Sequence, residues 1–245
     1  MITKIKLNSL INKYYLGENE SVVWEIEDDS LNINFSSINK EVIGNISYNK
    51  IGLEPNKIAI YDTKKLLNLL SITQGDLLIE VEKTKNIPTK LHISDESFNL
   101  TYALADPLLI SKQKGTVTEP EWDATFELTS TDMESIIKAK SALKDVNNML
   151  ISIGEDGVGD KMCLFTFGDE HGHNNKITYQ IYGDIKPTDI KIPFNSDMLR
   201  NILHANKDAE VGNMYLSYQG LIKLTFKNAE STCVYYLIRK EQNVL

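Results

Sequence analysis

Residues 57–72 read KIAIYDTKKLLNLLSI, and this stretch places a strand, a cap and a helix in succession. Alternating apolar residues over 57–62 are typical of a half-buried strand. Leucines then recur at helical spacing, which predicts an amphipathic helix over 63–72. Lys64 and Lys65 stand at the start of that helix, where the partial positive charge of the helix dipole disfavours bases. Their position therefore needs a reason other than local helix stability.

The same succession recurs later in the chain. YDTKKLLNLL at 61–70 aligns without a gap over FNSDMLRNIL at 194–203, and each copy follows an alternating strand that ends in an aromatic residue. A second pair aligns as SLINKY at 9–14 and SIIKAK at 135–140. Because both the order and the spacing repeat, we predict two copies of one unit, each with two helices among many strands.

Short helices and many short strands make up the rest of the pattern. Apolar residues at helical spacing predict four helices, at 3–14, 63–72, 131–143 and 196–206. Thr131 and Glu134 are expected to form a capping box for the third helix, and Asn195 or Ser196 is expected to cap the fourth. The chain is therefore predicted to be an α+β protein, in which two similar domains each pack two short helices on antiparallel sheets.

A connector is predicted between the two domains. Residues 106–122 read DPLLISKQKGTVTEPEW, with two prolines and a glycine that break any regular element. The domain limits are accordingly expected at 1–106 and 123–245, with 107–122 as the connector.

The composition is that of an ordinary globular protein, with 42% hydrophobic and 24% charged residues in a chain of 245. No signal peptide and no apolar run of about 20 residues is visible, so we expect a cytoplasmic protein with no membrane contact. Cys163 and Cys233 lie in strand-like segments, which fits reduced thiols. His171 and His173 stand beside Asp169 in a loop-like stretch, for which a solvated loop is a better interpretation than a ligand set. Neither a metal nor another cofactor is expected.

Charge is distributed unevenly along the chain. The four predicted helices and their ends hold ten basic and three acidic residues, a net charge of +7. Because the whole chain carries −8, the remainder carries a net charge of −15. At about 100° per residue, most of these bases fall opposite the apolar stripes, whereas Lys140 and Lys144 lie near the apolar side. A cationic helical surface on an otherwise acidic chain suits phosphate backbones, and lysine suits mobile contacts because its ammonium group has no bidentate geometry.

Three blocks carry a family resemblance: IAIYDTKKLLNLLSI at 58–72, LTYALADPLLI at 100–110 and ELTSTDMESIIKAKSAL at 127–143. They resemble the DNA sliding clamps, those of T4-like bacteriophages in particular and the cellular clamp PCNA more distantly. The resemblance implies the DNA-clamp fold and a homotrimeric ring of two-domain subunits, with helices lining a hole around duplex DNA. It also implies a ring that tethers the replicative DNA polymerase, is opened and closed by an ATP-driven clamp loader, and has no catalytic residues.

The resemblance also assigns site residues by position. Those expected to face DNA are the helical bases and one histidine: Lys4, Lys6, Lys13, Lys64, Lys65, Lys138, Lys140, Arg200, His204 and Lys207. Those expected to form a partner-peptide pocket, under the connector and on the final strand, are Leu108, Leu109, Ile110, Tyr235, Tyr236 and Ile238. Those expected at the subunit contact, where two edge strands pair, are Phe98, Leu100, Tyr102, Ile177, Tyr179 and Ile181. A phage clamp would act in the cytoplasm of an infected bacterium and would also contact late-transcription factors.

Other protein classes explain less of the pattern. The chain shows no nucleotide-binding, nucleophile-elbow or zinc-protease motif, and its loop acids are too scattered to nominate an acid/base pair. A β-rich structural phage protein has no reason to collect bases on four helices. A monomeric DNA-binding processivity factor would need a stronger net positive face, because it holds DNA by affinity and not by encirclement.

Overall fold

The computed structural model of the chain describes residues 2–110, 117–168, 175–186 and 189–240. The chain divides into two compact units. The first comprises Met1–Ile38, Gly44–Gly115 and Ala229–Cys233, and the second comprises Asn39–Ile43, Thr116–Asn228 and Val234–Leu245. The domain limits predicted above stay a prediction.

The first unit holds two helices and eight strands among the described residues, each strand assigned to the unit that contains most of it. The helices are α1 (Lys4–Tyr15) and α2 (Thr63–Ser71). The strands are β1 (Ile2–Thr3), β2 (Val22–Glu27), β3 (Ser30–Ser36), β4 (Val42–Asn49), β5 (Asn56–Ile60), β6 (Asp76–Thr84), β7 (Ile87–Ser94) and β8 (Asn99–Ala103). Neighbouring strands are hydrogen-bonded in two rows of strands, in the orders β1-β6-β7-β8 and β4-β3-β2-β5.

The second unit repeats this architecture in the part of the chain that the structure describes. Its helices are α3 (Ser130–Ala142) and α4 (Ser196–Ala205). Its strands are β9 (Ala124–Glu127), β10 (Asn148–Glu155), β11 (Lys161–Gly168), β12 (Lys176–Tyr182), β13 (Asp184–Ile185), β14 (Lys191–Asn195), β15 (Val211–Ser217), β16 (Leu221–Lys227) and β17 (Ser231–Ile238). The rows run β12-β11-β10-β14 and β13-β9-β15-β16-β17.

Helix packing explains the apolar stripes of the sequence. Helix α1 packs against α2, and α3 packs against α4 while also contacting β11 and β12. Leu66 and Leu70 of α2 are fully buried, as are the residues aligned with them in α4, Leu199 and Leu203. The repeat predicted from residues 61–70 and 194–203 thus has the same buried face in both copies.

The two helix starts are also built alike. Thr63 and Ser196 are both fully buried at the first helical position. The Thr63 hydroxyl donates to the Glu20 carbonyl oxygen over 2.9 Å, and the Ser196 hydroxyl donates to the Val146 carbonyl oxygen over 2.7 Å. In each unit a buried hydroxyl therefore ties the helix start to the segment that precedes a strand.

Replacing Thr63 by Val should lower the free energy of unfolding by about 1–2 kcal/mol, because the shape is kept and a buried hydrogen bond is lost. Urea denaturation followed by circular dichroism measures the change. Thr84→Val is the matched control, since Thr84 is exposed at the end of β6 and its replacement should cost less than about 0.5 kcal/mol. Equal midpoints for the two variants would show that the buried hydroxyl does not stabilise the helix start.

The third helix starts one residue earlier than predicted and uses a different cap. Its N-cap is Thr129, whose hydroxyl accepts from the Asp132 N–H over 3.1 Å, while the Asp132 carboxylate accepts from the Thr129 N–H over 3.0 Å. Asp132 also accepts a 2.7 Å hydrogen bond from the Tyr179 hydroxyl, which favours this box over Thr131 and Glu134. Burial raises the pKa of Asp132, but these hydrogen bonds outweigh it and lower the pKa below its usual range. Asn195 is confirmed as the cap of α4.

Candidate nucleic-acid interface

The start of α2 shows how two lysines are accommodated at a helix N-terminus. The Asp62 carboxylate accepts from the Lys65 N–H over 2.8 Å, and the Glu20 carboxylate accepts from the Lys64 N–H over 2.9 Å. Two acids thus satisfy the positive end of the helix dipole. The lysine ammonium groups are not needed for this and extend into solvent from the exposed face of α2.

Four of the predicted DNA-facing residues are exposed and have no side-chain hydrogen bond or ion pair with another described residue. They are Lys64, Lys65, His204 and Lys207. The first two lie on α2 and the other two lie at the end of α4 and just beyond it. These groups are available to an anion without breaking an existing contact.

Four further predicted residues lie outside the core but already have partners. Lys6 forms an ion pair with Glu230, Lys138 with Glu134 at 3.0 Å, and Arg200 with Asp197 at 3.4 Å. The Lys4 ammonium group donates to the Ser71 carbonyl oxygen over 2.8 Å and to the Thr73 carbonyl oxygen, at the C-terminal end of α2. A phosphate would have to displace an internal acceptor at each of these residues.

Lys13 and Lys140 do not belong to the exposed surface, which corrects the prediction that they face DNA. Lys13 is 2% exposed and Lys140 is 0% exposed. The Lys140 ammonium group lies 3.2 Å from the Asp197 carboxylate and donates over 2.9 Å to the Lys144 carbonyl oxygen. The base stabilises the negative end of α3 and its contact with the start of α4. Its position near the apolar side of α3 was visible in the sequence.

The predicted pocket residues divide into exposed and buried groups. Leu108 and Leu109 are 89% and 81% exposed, whereas Ile110 is buried against Val23 and Ala59 in the first unit. Leu108 also lines a cavity of about 350 Å³ in that unit, together with Asn56, Lys57, Asn86, Ile87, Pro88, Asp106 and Pro107. Ile110 therefore anchors the start of the connector and is not available to a partner.

The final strand is similarly divided in the second unit. Tyr235 is fully buried, and its hydroxyl accepts a 3.0 Å hydrogen bond from the Asn206 amide, so it belongs to the core and not to a pocket. The Tyr236 hydroxyl donates to the Glu119 carboxylate over 2.6 Å, and the Lys223 ammonium group lies 2.6 Å from the same carboxylate. Burial and the neighbouring Glu119 raise the pKa of Tyr236 to about 12. Ile238 is half-buried.

The residues predicted at the subunit contact lie on or beside edge strands. Strand β8 ends one row and β12 ends another. The side chains of Leu100, Tyr102 and Ile181 are buried inside their own units, so a contact through these strands would use their backbones. Their place at a subunit contact stays a prediction. Phe98 is 41% exposed, while Ile177 and Tyr179 are half-buried.

The backbone of β8 still offers hydrogen bonds at its edge. The Asp95 N–H donates to the Phe98 carbonyl oxygen, and the Leu104 N–H donates to the Thr89 carbonyl oxygen. Hydrogen-bonded residues alternate along an antiparallel ladder, so the even-numbered residues of β8 face β7. The N–H groups of Asn99, Thr101 and Ala103 consequently point away from β7.

The acidic partners were missed by sequence reasoning. Glu20, Asp197 and Glu230 each contact the base-rich helices, and only Asp197 belongs to a predicted helix. Glu230 is 224 residues from Lys6 along the chain, so no local sequence pattern could have indicated the pair.

Two further outcomes concern the described residues alone. They contain no group of three or more His, Cys, Asp or Glu side chains placed to hold a metal ion, and no helix long and apolar enough to cross a membrane. Asp169, His171 and His173 lie outside the described residues.

The fold is the PCNA-like clamp fold. PCNA from Entamoeba histolytica matches with a TM-score of 0.73 and 15% identity over 98% of this chain and 96% of that one. A. fulgidus PCNA, solved with the C-terminal region of FEN-1 bound, matches with a TM-score of 0.74 and 12% identity over 99% of this chain and 98% of that one. The PCNA2–PCNA3 complex of Sulfolobus tokodaii matches with a TM-score of 0.73 and 14% identity over 98% of both chains. The predicted α+β clamp fold is confirmed.

Sequence similarity leads to the same class of protein. The chain is 25% identical over 179 residues to the DNA polymerase sliding clamp of Methanococcoides burtonii, covering 72% of this chain and 69% of the relative. No protein-family model matches the chain. The resemblance to sliding clamps seen in the sequence is confirmed, since the chain has the PCNA-like clamp fold and is similar in sequence to a DNA polymerase sliding clamp. The closer likeness to T4-like phage clamps stays a prediction.

Proposed function

We propose that the chain is a DNA polymerase sliding clamp, a ring-forming processivity factor that encircles duplex DNA and tethers the replicative polymerase. The observation that carries the proposal is a PCNA-like clamp fold whose helices present bases on their exposed faces. Lys64 and Lys65 on α2 supply two exposed ammonium groups that pair with no other described residue. His204 and Lys207, at the end of α4 and just beyond it, are exposed in the same way. Lys6, Lys138 and Arg200 add positive charge that is partly neutralised by their acidic partners.

These groups suit contacts that must move along DNA. A lysine ammonium group binds a phosphate as a point charge, so one phosphate can replace another without reorienting a planar group. Contacts of this kind depend on salt and not on base sequence. A ring held on DNA by closure needs only such weak contacts.

The proposed assembly is a homotrimer closed by edge-strand pairing. Strand β8 would pair with β12 of a neighbouring copy, and Asn99, Thr101 and Ala103 would supply the outward N–H groups. Pairing would also protect two edges that could otherwise join other chains indiscriminately.

Partner proteins would meet the exposed start of the connector. Leu108 and Leu109 of the first unit offer large exposed apolar side chains for this surface. The A. fulgidus relative is described with the C-terminal region of FEN-1 bound. We propose the replicative polymerase and an ATP-driven clamp loader as partners of this surface, and late-transcription factors on the basis of the phage resemblance. In this role the protein is a scaffold without catalytic residues and acts in the cytoplasm.

Retention on DNA tests the proposal. Light scattering should give about three times the chain mass of 27.7 kDa, and clamp loaded by its loader should stay on circular duplex but slide off linear duplex. The two DNA forms are compared by gel filtration after a high-salt wash, because salt removes electrostatic binding and leaves encirclement. A monomer that stays equally on linear and circular DNA through that wash would contradict the ring.

A further inference from the structure

Glu230 lies beside one of the base-rich helices although it belongs to the turn between β16 and β17. One carboxylate oxygen, Oε1, forms an ion pair with the Lys6 ammonium group, and the other, Oε2, accepts a 2.7 Å hydrogen bond from the Tyr48 hydroxyl. Tyr48 is only 5% exposed. The Asn49 N–H donates to the Glu230 carbonyl oxygen over 2.8 Å, which fixes the backbone as well.

These contacts orient the carboxylate before any ligand arrives. A free surface glutamate loses side-chain entropy when it forms an ion pair, which is why most exposed pairs contribute little. Here Tyr48 and Asn49 already restrain Glu230, so the Lys6 ammonium group meets a preoriented acceptor. Lys6 and Glu230 remain 47% and 39% exposed at their side chains, so a phosphate could still reach the lysine.

We propose that Glu230 is an internal counter-ion that competes with DNA phosphates for Lys6 and so weakens the grip of the clamp on duplex DNA. The inference rests on the proposed function, because it assigns Lys6 to the DNA-facing surface. When Lys6 turns to a phosphate, Glu230 keeps its hydrogen bond to Tyr48 and is not left without a donor. The exchange costs little in either direction, which is what repeated transfer between phosphates requires.

The protonation state of Glu230 supports the exchange at neutral pH. The hydrogen bonds from Lys6, first, and Tyr48, second, hold the pKa of Glu230 below its usual range. The carboxylate therefore stays charged wherever DNA replication operates. Lys64 and Lys65 of α2 have no comparable acceptor among the described residues, so α1 and α2 would bind phosphate with different strength.

Glu230→Gln is the direct test, with a fluorescent linear duplex titrated by fluorescence anisotropy over a series of salt concentrations. Releasing Lys6 should tighten binding about two- to fivefold at low salt. The slope of log affinity against log salt should steepen by about 0.9, the value for one additional phosphate contact. Glu27→Gln is the matched control, because Glu27 is an exposed acid at the end of β2 in the same unit and its loss changes the net charge equally.

A double-mutant cycle separates the specific pair from net charge. In a Lys6→Gln background, Glu230→Gln should raise the affinity for duplex DNA no more than Glu27→Gln does. The inference would be overturned if Glu230→Gln bound DNA no more tightly than the Glu27→Gln control. The proposed function would still stand in that case, provided that Lys64→Glu/Lys65→Glu weakened binding. Failure of the wild-type chain to bind the duplex at low salt would instead overturn the DNA-facing surface on which both depend.

Discussion

Reversing both free charges on α2, with Lys64→Glu and Lys65→Glu, should lower the affinity for duplex DNA on the order of 10–100-fold at low salt. Both ammonium groups are exposed and have no internal partner among the described residues, so nothing else neutralises them. Each replaced lysine removes one phosphate contact and adds a repelling carboxylate. The salt series described for Glu230→Gln measures this loss of affinity. The slope of log affinity against log salt should become shallower by about 1.8.

The fold should tolerate this double change. Acidic residues are favoured in the first turn of a helix, and the N–H groups of Lys64 and Lys65 keep their acceptors Glu20 and Asp62. The midpoint of thermal unfolding is therefore expected to stay the same or rise slightly. Lys83→Glu/Lys85→Glu, at the end of β6 and in the turn that follows it, reverses the same charge in the same unit and should leave DNA affinity within about twofold of wild type. Equal losses in the two double variants would mean that total charge, and not the face of α2, controls binding.

Thr101→Pro should convert the proposed trimer to a monomer. The Thr101 N–H points away from β7, so the replacement removes a donor from the free edge of β8 and leaves the β7–β8 ladder in place. The lost hydrogen bond and the bulk of the ring together should cost about 2 kcal/mol at each interface. Light scattering across a dilution series should show the mass falling to that of one chain, 27.7 kDa.

Thr101→Ala is the control for this variant. It keeps the backbone N–H and removes the hydroxyl and the γ-methyl group of the side chain. The hydroxyl lies 3.1 Å from the His92 Nδ1 atom within the first unit. The alanine variant should remain trimeric at concentrations where the proline variant dissociates. A trimer that survives Thr101→Pro with unchanged stability would place the subunit contact somewhere other than the edge of β8.

The fold could be predicted because its decisive signals are local. The strand–cap–helix unit at 61–70 recurs at 194–203, and in both copies the same leucines are buried and the same hydroxyl position is tied down. The cap of α3 was harder to predict, because two overlapping Thr/acid pairs, Thr129 with Asp132 and Thr131 with Glu134, stand at its start. Thr129 and Asp132 form the cap since Tyr179, 47 residues away, adds a hydrogen bond to the same aspartate.

The candidate surface was predicted less completely, because charge alone does not determine whether a base is exposed. Lys140 and Lys64 are both helical lysines, but Lys140 is buried by the contact between α3 and α4 while Lys64 is exposed. A helical wheel describes one helix at a time and cannot place the neighbour. Partners such as Glu230 are likewise fixed only when distant strands meet, so the sequence predicted where positive charge collects but not how much of it is already neutralised.

The capping of α2 by Glu20 determines when in folding this cationic surface can appear. A helix of nine residues is too short to be stable in water by itself, and the N–H groups of Thr63 and Lys64, together with the Thr63 hydroxyl, need acceptors on Glu20. Those acceptors arrive only when β2 and β5 have paired and brought residue 20 beside residue 63. A nascent or unfolded chain thus carries its lysines without the ordered array that a phosphate backbone would meet. The proposed DNA binding would therefore be acquired together with tertiary structure.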